Sequence, residues 1–241
     1  MTHWSLFHSF VIQLSLKYTV QPPVSRRERE RLMRRNAILE AAQAEFAERG
    51  YGRAKLEDIA RRAEFGKGTL YNYFKGGKRG MLFAIFDKLY DDMIQLIEAS
   101  LSPEIISKNS FRQAFYDYTL SSLSFYLNSK ELFMILVKEA HRMCFGEDID
   151  NAAYFRRQQE RVIEALTLPI ERAMEAGDIR KLDPQAVAHM ILGNIQGLQV
   201  HMILAADEKS PDKGPAVLPP KEAATFLTTM LLDGLEDRLK K

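Results

Sequence analysis

Apolar residues recur at helical spacing along most of the chain. Leu39, Ala42 and Phe46 line one face of a first helix that runs to about Arg49, where Gly50 ends it. Leu56, Ile59, Ala60 and Ala63 fall at i, i+3, i+4 and i+7 of a second, and Leu70 and Phe74 at i and i+4 of a third. A long helix is expected from near Met81 to about Ser100. Its inner stripe is Leu82, Ile85, Phe86, Leu89, Met93 and Leu96, and Pro103 stops it. Further helices are predicted near Phe111–Leu127, Lys130–Cys144, Asn151–Ala176, Pro184–Ala206 and Lys221–Lys240. Gly177 closes one, Asp183-Pro184 opens the next, and Asp207 to Pro220 reads as a mobile loop. No window sustains strand alternation, so the expected fold class is all-α.

The second and third helices are short, and a tight bend separates them. With about 100° per residue, Leu70 and Phe74 point inward and Asn72 nearly opposite. Gly68 and Lys75 lie to one side of Asn72, Thr69 and Tyr73 to the other, and Lys67 and Tyr71 near the edge of the buried seam. Asn pairs with adenine by two hydrogen bonds, and a Thr methyl can touch thymine. Tyr hydroxyls and Lys ammoniums suit phosphate oxygens. Two small helices sharing a core, with a polar outer face on the second, form a helix-turn-helix over residues 55–74 whose second helix enters the major groove. A plain surface helix carrying two Tyr and two Lys is the bland alternative.

Gly50-Tyr51, Glu57-Asp58-Ile59-Ala60 and the run from Lys67 to Lys75 resemble the TetR family of bacterial transcriptional regulators. The resemblance is specific from about Ala37 to Leu82 and rests on helical pattern and length beyond. It implies DNA contacts from Lys67, Thr69, Tyr71 and Tyr73, with basic residues just after them on phosphates. It also implies that the helix from Met81 links the DNA head to the body, and that the last two helices pack against their symmetry mates as a four-helix bundle.

Three departures from the family pattern stand out. Relatives often carry Ser or Thr at the position of Lys55, which has no acceptor to cap a helix but can offer charge to a phosphate. Gly76-Gly77-Lys78-Arg79-Gly80 is glycine-rich and one residue longer than usual, which puts Lys78 in the place of the family's phosphate-binding lysine. Met1 to Val24 has no counterpart.

Net charge is +2 over 241 residues, but unevenly placed. Between Ser25 and Gly80, 15 Lys and Arg stand against 8 Asp and Glu; from Met81 onward the counts are 18 and 24. A basic front and an acidic rear suit a DNA-binding head on a body kept off DNA. The division expected is an extension over 1–24, a DNA-binding domain over 25–80 and a helical effector and dimerisation domain over 81–241. The extension reads as disordered or loosely docked, or as a start codon assigned too far upstream. Its apolar stretch from Trp4 to Leu16 is too short to span a bilayer and lacks the marks of a secretory signal. Arginines at 26, 27, 29, 31, 34 and 35 suit a solvated helix start or a contact with phosphates or the minor groove. The single Cys144 excludes an internal disulfide and fits the cytoplasm.

The last two helices, near 184–206 and 221–240, are the dimerisation candidates. Ile191, Ile195, Leu198, Met202, Phe226, Met230, Leu231 and Leu235 give apolar faces, and Gly193 and Gly197 allow close approach. A two-fold dimer explains one motif per chain, because it reads two half-sites of a palindrome. The middle helices are rich in aromatics, most of them core, some the wall of a pocket. The candidate ligand residues are Phe115, Tyr118, Phe125, Phe133, His141, Tyr154, His189 and Gln196.

Other chemistry fails inspection. Gly66-Lys67-Gly68-Thr69 lacks the spacing of a phosphate loop. His141 and Cys144 have no second pair to complete a metal site. Asp148 and Asp150 lack the rest of a calcium loop. No catalytic constellation, metal or cofactor is expected. The functional reading is a homodimeric regulator, a repressor released from a palindromic DNA operator by a small lipophilic or aromatic effector. The alternative is a DNA-binding organiser or partner-controlled factor without a small ligand.

Overall fold

The computed structural model describes residues 25–127, 130–146, 149–205 and 218–235. The extension over 1–24, Asp148, most of the loop from Asp207 and the chain after Leu235 lie outside the described residues.

Helix α1 (Arg26–Arg53) starts on Ser25, whose Oγ accepts the Glu28 N–H at 3.2 Å. Glu28 also sets a negative charge at the positive end of the helix dipole. The first turns, with their arginines as far as Arg34, are exposed and Arg35 is half-buried; the core begins at Ile38 and continues through Leu39, Ala42 and Phe46. Gly50 leaves helical geometry at φ 76° and ψ 150°, so the long helical run stops there as expected, and one separate short turn follows to Arg53. Helix α2 (Leu56–Arg62) buries Ile59 and Ala60, and α3 (Lys67–Tyr73) buries Leu70. The bend between them turns through Glu64, a non-glycine residue at φ 60°, while the Phe65 N–H donates to the Ala60 carbonyl at 3.0 Å.

Helix α4 (Lys78–Ser100) begins three residues before Met81. Pro103 does more than stop it: with Ser102 as cap, it occupies the first turn of α5 (Pro103–Asn109), a helix the apolar spacing does not suggest. Helices α6 (Phe111–Leu127), α7 (Lys130–Cys144), α8 (Ile149–Ala176), α9 (Pro184–Ala205) and α10 (Pro220–Leu235) follow the expected pattern to within a few residues. Asp183 caps α9 through the Ala186 N–H at 3.0 Å. The described residues form no strand.

Two compact units divide the described chain. One joins α1–α3 to α4 as far as Asp91 and to Glu131–Phe155, so the unit that holds the helix-turn-helix extends well past Gly80. Within it, Phe86 meets Phe155 edge-on at 5.0 Å and Phe83 meets Tyr154 at 4.8 Å. Tyr154 donates to Asp87 at 2.8 Å, and Arg79 to Asn151 at 3.0 Å. The other unit takes Asp92–Lys130 and the chain from Arg156. Its centre is α6, packed against α9 and α10. Phe111, Phe115, Tyr118, Leu123, Ile191, Ile195, Leu227 and Leu232 are buried there. Each such side chain contributes roughly 1.5–3 kcal/mol through burial.

Candidate DNA interface and effector cavity

The helix-turn-helix is clamped by charge as well as by its core. Arg49 on α1 donates to Asp58 on α2 at 3.2 Å, and Arg62 on α2 donates to Glu48 on α1 at 2.6 Å. Arg62 also lies 3.4 Å from the buried carboxylate of Glu45. The Arg35 guanidinium sits 5.2 Å over the Phe74 ring, tying the basic start of α1 to the end of α3.

With its inner residues held, α3 offers one face to solvent. Lys67, Gly68, Tyr71 and Asn72 are exposed, Lys75 follows just beyond the helix, and Thr69 and Tyr73 are half-buried on its flank. Gly68, Asn72 and Lys75 lie outward as the angles predict, but Lys67 and Tyr71, expected near the edge of the buried seam, are more open than Thr69 and Tyr73. Seven residues make a helix roughly 10 Å long, suited to a major groove about 12 Å wide. Lys55 stands exposed at the N-cap of α2 and makes no side-chain capping bond.

Two further facts modify the charged surface. Lys67 pairs closely with Glu57, and that hydrogen bond holds the Glu57 carboxyl below the usual carboxylate range. Lys78, expected on a phosphate, is half-buried instead. Its Nζ donates to the carbonyls of Tyr51 (2.7 Å), Ala54 (3.1 Å) and Gly52 (3.3 Å). The glycines around it now have a reason. A Cβ on Gly77 (φ 59°) would meet the Tyr71 ring at 3.3 Å, and one on Gly80 would strike the Lys75 carbonyl oxygen at 2.4 Å. The chain therefore turns from α3 into α4 tightly, directly beneath Tyr71.

Residues 38–85 match the sequence model of the bacterial regulatory proteins of the tetR family, and they contain this helix-turn-helix. Over those residues the chain is similar to the TetR family. The family resemblance continues past the head. The HTH-type transcriptional regulator YhgD of Bacillus subtilis is 26% identical over 169 residues, which cover 66% of this chain and 78% of that protein. A TetR-family regulator from Mesorhizobium loti shares the fold at a TM-score of 0.66 and 17% identity, covering 86% of this chain and 98% of the other. The SmeT–triclosan complex does so at 0.62 and 18% identity, covering 86% and 93%. Among the described residues, no helix is long and apolar enough to cross a membrane.

The second site is a cavity inside the unit built on α6. It measures about 20 Å³ and is lined by Asp92, Met93 and Leu96 of α4, Tyr118, Ser122 and Phe125 of α6, and Leu192, Ile195, Gln196 and Gln199 of α9. Burial raises the pKa of the Tyr118 hydroxyl, although a hydrogen bond with Ser122 opposes the shift. Gln199 donates to the Ser122 carbonyl at 3.1 Å.

Of the eight candidate ligand residues, Tyr118, Phe125 and Gln196 line this cavity. Phe115 is core, stacked beside Phe111 at 6.1 Å. His189 is exposed. Phe133, His141 and Tyr154 belong to the other unit: Phe133 is half-buried, His141 is exposed with its ring 5.6 Å from Phe145, and Tyr154 is engaged by Asp87. Sequence reasoning missed Asp92, Ser122 and Gln199, all buried. The available signal was a polar residue on an apolar stripe. Asp92 interrupts Leu89, Met93 and Leu96 at i+3, and Ser122 falls between Tyr118 and Phe125.

The burial of α9 and α10 refines their expected outer faces. Ile191, Ile195, Met202 and Leu231 fill the core of their own unit. The exposed stripe is Met190, Gly193 and Asn194 on α9, with the half-buried Gly197 in line, and Phe226 and Met230 on α10. Among the described residues, nothing lies within 4 Å of a Cβ built on Gly193 or Gly197.

Proposed function

We propose that this chain is a repressor that binds a palindromic DNA operator as a homodimer and is released by a small lipophilic or aromatic effector. The observation that carries the reading is α3 itself. Its apolar side is fully committed to the head, and its free side gathers Lys67, Gly68, Tyr71 and Asn72. Asn72 reads a base edge; Lys55, Lys67, Thr69, Tyr71, Tyr73 and Lys75 meet bases or phosphates around it. Lys78 serves from behind, fixing the turn that positions α3.

The dimer reading draws on the stripe of α9 and α10. Glycines at 193 and 197 face open space, so packing within the chain does not require them. A two-fold partner helix lying on that stripe gives them a use and covers Phe226 and Met230, which are 52% and 56% exposed. The protein works in the cytoplasm, with the DNA.

For effector release, the cavity supplies the lever. Asp92, Met93 and Leu96 lie on α4, the helix that begins at Lys78 beside the head. A ligand larger than water prefers a conformation in which the cavity walls have parted, and only such a preference shifts an equilibrium. The SmeT–triclosan complex shows that a protein of this fold accommodates a small molecule. The second reading, a DNA-binding protein controlled by a partner and not by a ligand, draws on the cavity's size, about 20 Å³, little more than one water requires.

In vitro transcription tests the role. From a promoter carrying a DNA fragment selected by the protein, added protein should lower transcript yield. A rise in transcript would make the chain an activator.

A further inference from the structure

The turn after α3 does more than connect it to α4. Gly76 and Gly77 both stand at positive φ, 90° and 59°, so the chain reverses within a few residues. The Gly77 N–H donates to the Phe74 carbonyl at 3.0 Å, and the Gly77 carbonyl accepts from the Met81 N–H at 3.0 Å. The next residue, Lys78, is tied to three carbonyls at the end of α1. Gly77 is therefore a fixed point of the head, held on both sides. It is also buried, while Gly76 before it is exposed.

The ring of Tyr71 lies against it, although that side chain is 53% exposed. Beyond the chain neighbours of Gly77, the three nearest atoms to a Cβ built there, among the described residues, are Tyr71 Cε1 at 3.3 Å, Cζ at 3.8 Å and Oη at 3.8 Å. The hydroxyl end of the ring thus rests over the bare Cα and leans toward the turn, which also carries the exposed Lys75. A half-exposed tyrosine with nothing beneath it would divide its time among rotamers and lose that freedom on meeting DNA. Tyr71 has its seat before DNA arrives. The seat lies in the glycine-rich stretch that departs from the family pattern.

We propose that Gly77 is a positioning residue of the DNA interface: its missing side chain seats Tyr71, and the seated hydroxyl donates to a phosphate of the strand that Lys75 approaches. The inference rests on the DNA-binding reading above.

Gly77→Asn and Gly76→Asn form a matched pair that tests it on the full-length chain. Asn is among the residues that best accept positive φ, and both variants meet that backbone cost. At Gly77 the new side chain runs into the Tyr71 ring. At Gly76 the nearest atom to a Cβ is the Gly80 nitrogen at 3.7 Å, an ordinary contact. Affinity for a DNA fragment selected by the parent chain should fall about tenfold or more in Gly77→Asn relative to Gly76→Asn. The loss should be equal across base sequences and leave the salt dependence unchanged, because a neutral hydroxyl releases no counterion. In a Tyr71→Phe background, Gly77→Asn should cost nothing further. Equal affinities for the two asparagine variants, or an undiminished loss in the Tyr71→Phe background, would overturn the assignment and leave the DNA-binding reading intact. Failure of the parent chain to select any fragment would overturn both. A nuclear Overhauser contact between the Tyr71 ring protons and the Gly77 α-protons of the DNA-free parent keeps the test decisive should a variant fail to fold. That contact is expected, and its absence would overturn the seat.

Discussion

The Lys78 ammonium sits 4.6 Å over the Tyr51 ring and 2.7 Å from the Tyr51 carbonyl oxygen. It closes the C-terminal end of α1, where helix carbonyls lack partners of their own, and a cation there also meets the negative end of the helix dipole. Burial pushes its pKa down, and the Glu139 carboxylate of α7 pushes it back up. Lys78→Met should cost about 1–2 kcal/mol and lower Tm by several degrees. Its DNA binding, measured while still folded, should keep the salt dependence of the parent. Lys75→Ala should do the reverse, preserving Tm and flattening the salt dependence. A flattened salt dependence in Lys78→Met would put Lys78 on a phosphate after all.

Glu57 pairs with Lys67, and on the proposed reading it competes with a DNA phosphate for that lysine. Breaking their pair is part of any phosphate contact by Lys67, so Glu57→Gln should tighten DNA binding at low salt. The same change in a Lys67→Ala background should have a smaller effect, and the difference between the two is the coupling. Equal effects in both backgrounds would mean that Lys67 does not reach DNA. Because the Glu57 pKa is depressed in the folded chain, the pair's contribution is present above the unfolded carboxyl value and fades as pH falls through the folded one.

Asn72 is an exposed polar side chain of α3. Asn72→Ala should relax preference at one base pair of each half-site, worth about 1–3 kcal/mol of discrimination. Selection of randomised sites by the variant reads this directly. An unchanged preference at every position would take Asn72 off the bases.

Gly197 has open space over it among the described residues, so Gly197→Leu should leave helicity and thermal melting near parental values. It should nevertheless shift sedimentation toward the monomer and abolish operator binding. A dimer that persists would move the interface away from the α9 stripe.

Glu64 turns the helix-turn-helix at φ 60°, where a side chain costs roughly 1–2 kcal/mol. Its charge also faces the negative end of α2. Glu64→Gly removes both penalties at a backbone entropy cost of about 0.5–1 kcal/mol, so Tm should rise by a degree or more. A fall would show that Glu64 makes a contact outweighing the strain.

The α3 face was legible in the sequence because one short amphipathic helix has one geometry: once Leu70 and Phe74 face inward, Asn72 has nowhere else to point. Helix existence was legible for the same reason, down to Phe111–Leu127. The role of Lys78 was not, since a lysine beside glycines reads alike whether it caps a helix 27 residues earlier or faces a phosphate. The cavity was half legible. Tyr118, Phe125 and Gln196 share its wall, but aromatic content alone could not separate Phe115 in the core or Tyr154 in the other unit. Long-range packing decides that, and the better local clue was a carboxylate at Asp92 on an otherwise apolar stripe.

The central claim is specific reading of a two-fold DNA site through α3. Selection of genomic fragments by the purified chain, repeated at two salt concentrations, tests it most directly. The account predicts a few enriched sites that persist at the higher salt, each a palindrome with half-sites about one helical turn apart or a multiple of it. Enrichment without palindromic symmetry that disappears at higher salt, or none at either salt, would contradict it.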